Sequence, residues 1–186
     1  PVLHEFLNDD HKVILAVGRL TEAKNFGFMI HSFKALHDQH ADTRLIILGE
    51  GELRSELEAL IAQLNLTDVV DLPGFDTNPY AYFKYASLFV LSSNWEGLPG
   101  VLIQALASKV KVVSTDCPSG PREILDHTKF GLLVECNDQA GLTQAMQQAI
   151  FADYVQYQDA DFELHIQQFH KQTVLKQYLR IMESAS

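Results

Sequence analysis

The chain has 186 residues, 47% of them hydrophobic, and a formal net charge of −10. That size and apolar content suit one folded domain with a sizeable core and exclude a disordered chain. The acidic balance argues against nucleic-acid binding and docking on anionic lipid, and no apolar run reaches the roughly 18 residues that span a bilayer.

Residues 1 to 11 are polar with a few apolar side chains and read as a linker from a preceding domain; no signal peptide is visible. Residues 12 to 150 read as the main domain and 151 to 186 as a C-terminal helical segment. Val13 to Val17 is an apolar run closed by Gly18, a strand followed by a turn. Phe26, Met29, Ile30, Phe33 and Leu36 recur at helical spacing. Leu45 to Leu48 is the next strand, closed by Gly49-Glu50-Gly51. Leu53, Leu57, Leu60, Ile61 and Leu64 then make a helical stripe. Val69 to Leu72 is a short strand before Pro73-Gly74-Phe75. Asn78-Pro79 reads as a cap followed by proline at the first helical position, with residues 80 to 85 as a short aromatic helix.

Ser87 to Leu91 reads as a buried strand, followed by Ser92 to Gly100 and an apolar helix with Pro99 near its first turn. Val110 to Ser114 is another strand, Pro118 to Glu123 a tight turn opening a brief helix, and Gly131 to Val134 a small strand. Asn137 or Asp138 caps a helix to about Ile150. Residues 162 to 183 read as a terminal helix with Phe162, Ile166, Phe169, Val174, Leu175, Tyr178, Leu179 and Met182 as apolar positions. Alternating strands and helices predict an α/β, Rossmann-like, doubly wound parallel sheet, in which ligands bind above the carboxyl ends of the strands.

The strand-end loops carry the chemistry. A helix beginning near Pro99 aims free N–H groups and a positive dipole end at an anion, and a phosphate is the natural occupant. Glu96 beside such a site suits neutral sugar hydroxyls better than an anion. Arg19 and Lys24 are placed to converge on a diphosphate, the first as a fork of donors and the second as a compact charge. The plainer readings stand beside these. Arg19 and Lys24 are also an ordinary solvated pair, Glu96 a dipole partner, Gly97 and Gly100 turn glycines, Gln104 a satisfied buried amide, and Arg122 with Glu123 a surface pair. The eight histidines form no metal-spaced pair at a strand end and read as mostly solvent-facing, so no metal is expected. Cys117 and Cys136 lack metal-ligand spacing and read as reduced thiols of a cytosolic protein. There is no dinucleotide fingerprint, Walker loop or nucleophile elbow.

Taken in order, Val17-Gly18-Arg19-Leu20 with Glu22 and Lys24, Leu48-Gly49-Glu50-Gly51, Leu72-Pro73-Gly74-Phe75, Ser92-Ser93 with Glu96-Gly97-Leu98-Pro99, Thr115 to Pro121 with Glu123, and Gly131 to Val134 resemble the C-terminal, donor-binding domain of group 1 glycosyltransferases with the GT-B fold. The resemblance covers roughly residues 12 to 150. It implies a retaining, metal-independent enzyme without a cofactor, moving a sugar from a nucleotide-diphosphate donor such as a UDP-sugar to a hydroxyl of a glycan or glycolipid acceptor. It implies that Arg19 and Lys24 neutralise the diphosphate, that amides near Gly97, Leu98 and Pro99 help hold phosphate, and that Val101 belongs to the donor site. Glu96 matches the acid that binds sugar hydroxyls. Gly18, Gly49 and Gly51 shape the donor site, and the base lies against Gly74 and Phe75. The resemblance also implies a polysaccharide-building role, cytoplasmic or membrane-peripheral.

Two departures qualify this picture. The family's motif of two glutamates separated by seven residues has Gln104 at its second position, a neutral acceptor for the ribose hydroxyls. The acceptor-binding half is not part of this chain, so the domain is expected to bind donor weakly and turn nothing over. A terminal helix that packs on that half would leave its apolar face exposed here, or buried in a dimer. A nucleotide-sugar epimerase of the same architecture and a non-catalytic binding module are the alternative readings.

Overall fold

The computed structural model describes residues 4–8, 10–152, 154 and 162–169. Its elements are β1 (Lys12–Val17), α1 (Phe26–His37), β2 (Thr43–Leu48), α2 (Arg54–Gln63), β3 (Val70–Gly74), α3 (Pro79–Phe83), β4 (Leu88–Leu91), α4 (Gly100–Ala107), β5 (Val112–Thr115), α5 (Pro121–Ile124), β6 (Leu132–Val134) and α6 (Gln139–Phe151). Single 3-10 turns cover Glu5–Leu7 and Glu22–Lys24. Among the described residues the strands form one parallel sheet in the order β3-β2-β1-β4-β5-β6. This is the doubly wound arrangement the alternation predicted.

The sheet has two apolar faces because alternate strand residues point to opposite sides. Ile14, Ala16, Leu45, Ile47, Leu88 and Val90 pack under α1, α2 and α6. Val13, Leu15, Ile46, Leu48, Phe89 and Leu91 pack under α3, α4 and α5. Burial on both faces explains why β1, β2 and β4 read as continuous apolar runs.

Several boundaries differ from the sequence reading. β3 runs on through Pro73 to Gly74, which pairs with Leu48; Pro73 is tolerated because β3 is an edge strand. β5 begins at Val112 rather than Val110, because Lys109 turns the chain with φ +59° before the ladder starts. Leu53 and Leu64 flank α2 as cap residues instead of lying within it. Asn78 does not cap α3 through its side chain. The Asp76 carboxylate accepts from the Asn78 N–H at 2.7 Å, and the helix ends at Phe83. Asp138 caps α6 as expected, accepting from the Gly141 N–H at 2.9 Å.

The helical stretch 162–169 buries Phe162, Ile166 and Phe169 in the second core, with Phe162 and His165 both against the Phe130 ring. The outward-facing apolar surface considered from sequence is therefore wrong for this stretch. Val174, Leu175, Tyr178, Leu179 and Met182 lie outside the described residues. Four histidines depart from expectation, while His31 and His127 are exposed as expected. His4 bonds Asp71 at 2.7 Å, His165 bonds the Ile124 carbonyl at 2.7 Å, and His40 stacks on Phe151. His37 stacks on Phe33, and burial first, then Arg44, lowers its pKa. These flat rings are used as packing surfaces rather than left in solvent.

Candidate functional site

The strand order reverses between β1 and β4, and in a doubly wound sheet the ligand crevice lies above the carboxyl ends at such a point. On one side the loops after β1 and β2 are interlocked. Gly18 N–H donates to the Leu48 carbonyl at 2.9 Å, and Leu20 N–H to the Glu50 carbonyl at 2.9 Å. A Cβ on Gly49 would fall 1.8 Å from the Gly18 oxygen, and one on Gly51 would fall 2.4 Å from the Leu20 oxygen. Only glycine permits that approach.

The Lys24 side chain lies back over Gly18 and ends on Glu96, with Nζ 2.5 Å from Oε1. Ser93 Oγ donates to the same oxygen at 2.6 Å. The Lys24 and Glu96 side chains are only 18% and 10% exposed, so this ion pair is largely withdrawn from water. It joins the β1 and β4 loops across the crevice. Ser92 Oγ donates to the Lys24 carbonyl at 2.8 Å, Asn94 N–H to the Ala23 carbonyl at 2.8 Å, and Asn94 Nδ2 to the Glu22 carbonyl at 3.1 Å. Thr115 Oγ1, fully buried at the end of β5, donates to the Ser93 carbonyl at 2.6 Å. The Lys24 charge is therefore partly offset by Glu96, and Glu96 presents one oxygen, Oε2, without a donor among the described residues.

Arg19 is exposed, and its guanidinium has no hydrogen bond or ion pair among the described residues. It lines a cavity of about 400 Å³ with Gly18, Gly49, Glu50, Phe75 and Asp76, a size typical of small-ligand sites. Phe75 presents an open ring, 73% exposed.

Beyond Glu96, the N–H groups of Gly97, Leu98, Gly100 and Val101 have no acceptor among the described residues. The first helical amides are orphaned by geometry, and they carry the positive end of the α4 dipole. Pro99 lies next to the first turn, as the buried cap residue preceding α4. Gln104 is half-buried and its amide has no hydrogen-bond partner among the described residues, so it is not the satisfied amide of the plainer reading. Arg122 pairs with Asp116, not Glu123, since adjacent helical residues do not face each other.

The sequence marks these loops but assigns no role to Ser93, Asn94 and Thr115, which hold them together. Ser92 and Ser93 were detectable as hydroxyls ending a fully apolar strand. The thiols stay protonated near neutral pH. Burial, then Cys136 and Glu96, pushes Cys117 up to about 11, and burial with Asp116 raises Cys136. Both cysteines are free, and among the described residues no three His, Cys, Asp or Glu side chains gather as metal ligands.

A family model described as glycosyl transferases group 1 matches residues 4–158. The chain belongs to the group 1 glycosyltransferases. An uncharacterized glycosyltransferase of Methanocaldococcus jannaschii is 48% identical over 116 residues, which are 62% of this chain and 29% of that protein. The N-acetylgalactosamine-N,N'-diacetylbacillosaminyl-diphospho-undecaprenol 4-alpha-N-acetylgalactosaminyltransferase of Campylobacter jejuni is 44% identical over 135 residues, 73% of this chain and 36% of that protein. The chain thus spans about a third of the length of the curated relatives it matches. In fold, this glycosyltransferase chain is similar to TarM of S. aureus in complex with fondaparinux, alpha-GlcNAc-glycerol and UDP. That match has a TM-score of 0.78 and 23% identity, covering 91% of this chain and 35% of that one. It is also similar to the C-terminal domain of a group 1 family protein from Francisella tularensis (TM-score 0.66, 22% identity), covering 90% of this chain and 87% of that one. The sheet is thus of the GT-B type.

Proposed function

We propose that the chain is the donor-binding domain of a retaining, metal-independent glycosyltransferase. It holds a nucleotide-diphosphate sugar while a preceding domain presents a glycan or glycolipid hydroxyl. The observation that carries this reading is the Lys24–Glu96 pair beside the orphaned amides of α4, which puts a carboxylate, an ammonium and an anion cradle at one crevice. In this assignment the base enters the cavity beside Phe75. The diphosphate lies between Arg19, Lys24 and the amides of Gly97 to Val101. The sugar hydroxyls donate to Glu96, and the ribose hydroxyls meet Gln104. As the bond from the anomeric carbon to the phosphate oxygen breaks, charge accumulates on the departing diphosphate. Arg19, Lys24 and the α4 amides stabilise that charge. The shape of this cradle leaves donor identity to the base and sugar edges.

Calorimetry with UDP, GDP and ADP and their sugars tests the reading, starting with UDP because two similar solved structures carry it in complex. We expect one nucleotide to bind and its affinity to fall in Arg19→Ala. Absence of binding by every nucleotide overturns the proposal. Gln104→Glu adds a charged acceptor and is expected to tighten donor binding; an unchanged affinity removes Gln104 from the ribose site.

A further inference from the structure

Arg54 begins α2 outside the crevice, yet its guanidinium ties together both walls of the cavity beside Phe75. Nη2 donates to the Gly49 carbonyl at 3.2 Å, at the end of β2, and Nη1 donates to the Leu72 carbonyl at 3.1 Å, in β3. Nε and Nη2 fork the Glu50 carboxylate at 2.8 and 2.7 Å, and Nη1 also reaches Glu58 at 3.0 Å. The β2–β3 ladder is irregular at this point: its register shifts between Ile46 and Leu48. Beyond the shift the Gly49 N–H donates to the Gly74 carbonyl at 2.8 Å, and the guanidinium adds a second link across the irregularity, from Gly49 to Leu72. One wall of the cavity is Gly49 and Glu50 from the β2 end; the other is Phe75 and Asp76 after β3.

We propose that Arg54 is a positioning residue that sets the separation of these two walls, and with it the width of the slot that receives a planar nucleobase. This rests on the donor-site reading given above. The geometry requires arginine. A planar fork of five donors serves two carbonyls and a carboxylate at once, whereas a lysine ammonium is a single point with three donors. The carboxylates of Glu50 and Glu58 are more than half exposed, so those ion pairs contribute little by themselves, and the structural work of the guanidinium lies in its bonds to the Gly49 and Leu72 carbonyls.

The test compares a ligand that has a base with one that lacks it. Arg54→Met, Arg54→Lys and Glu58→Ala are titrated by calorimetry with the tightest of UDP, GDP and ADP, and with inorganic pyrophosphate. Arg54→Met is expected to weaken the nucleotide about five- to tenfold, the worth of one or two hydrogen bonds, and to leave pyrophosphate unchanged. Arg54→Lys keeps the charge without the double reach and is expected to weaken the nucleotide in the same direction; it carries the test if Arg54→Met fails to fold. Glu58→Ala leaves both ligands unchanged. Equal losses for nucleotide and pyrophosphate, or no loss for the nucleotide, overturn the proposal. If the unaltered chain binds pyrophosphate but no nucleotide, the donor-site reading falls, and the base slot falls with it.

Discussion

Glu96→Gln perturbs the ion pair that joins the two halves of the crevice. The carboxylate accepts from Lys24 at 2.5 Å and from Ser93 at 2.6 Å, with side-chain exposures of 10% for Glu96 and 18% for Lys24. Exposed pairs contribute about 0.2–1 kcal/mol, while breaking a buried one costs about 3–5 kcal/mol. This pair is mostly but not wholly covered, so the loss is about 2 kcal/mol. For a domain of this size that corresponds to a fall in Tm of about 4–8 °C. Thermal unfolding followed by far-UV circular dichroism measures it in Glu96→Gln, Lys24→Met and the double variant. Once one partner is gone the other has little left to lose, so a coupling of about 1 kcal/mol or more is expected. Single losses that simply add in the double variant refute the pair as a unit. Binding has its own sign. With Glu96 neutral, the Lys24 charge is no longer partly offset, so affinity for a bare nucleoside diphosphate rises while the gain from an attached sugar shrinks. The opposite pattern refutes the assignment of sugar to Glu96 and phosphate to Lys24.

Trp95 is the chain's sole tryptophan, is about half exposed and adjoins Glu96. Its emission is expected to change on titration with a bound nucleotide sugar, and a silent titration under confirmed binding moves the sugar elsewhere. Phe130→Ala removes a fully buried ring that Phe162 and His165 pack against. It should cost about 3–5 kcal/mol and expose the 162–169 stretch to limited proteolysis, whereas a full loss of stability without new cleavage there refutes the anchoring role. Cys117 is held up at about 11, so the unfolded chain, with a thiol near about 8.5, ionises first as the pH rises. The stability this group supports is complete below about pH 8.5 and lost, by up to about 3 kcal/mol, as the pH climbs toward its folded value. Urea melts at mildly and strongly alkaline pH should show this decline in the native chain and a flatter one in Cys117→Ala; parallel curves refute it.

Much of the frame was legible because burial on both sheet faces leaves an unambiguous trace. β1, β2 and β4 are apolar throughout their interiors, and the α1 stripe of Phe26, Met29, Ile30, Phe33 and Leu36 is wholly buried. Edges were read less well. Pro73 and Gly74 look like a turn, yet they continue β3 because an edge strand needs fewer N–H donors. The candidate residues could be placed on strand-end loops from sequence, but the hydrogen bonds between them could not. Lys24 and Glu96 are 72 positions apart, and nothing local announces that each is the other's partner. Arg54 shows the same limit. Its carboxylate contacts follow i, i+4 spacing and are readable, but its bonds to the Gly49 and Leu72 carbonyls depend on tertiary placement.

The interlock of Gly49 and Gly51 against Gly18 and Leu20 divides the crevice into parts that can and cannot be varied. Any side chain at those two glycines collides with backbone, and backbone there cannot yield without displacing β1 or β2. Glu50, Phe75 and Asp76 stand at the same opening, with Phe75 fully open to substitution in steric terms. An engineer seeking a different donor would therefore build the library at those three positions and keep the glycines fixed. Variants selected this way would change what the mouth of the crevice prefers while inheriting the same interlocked loops.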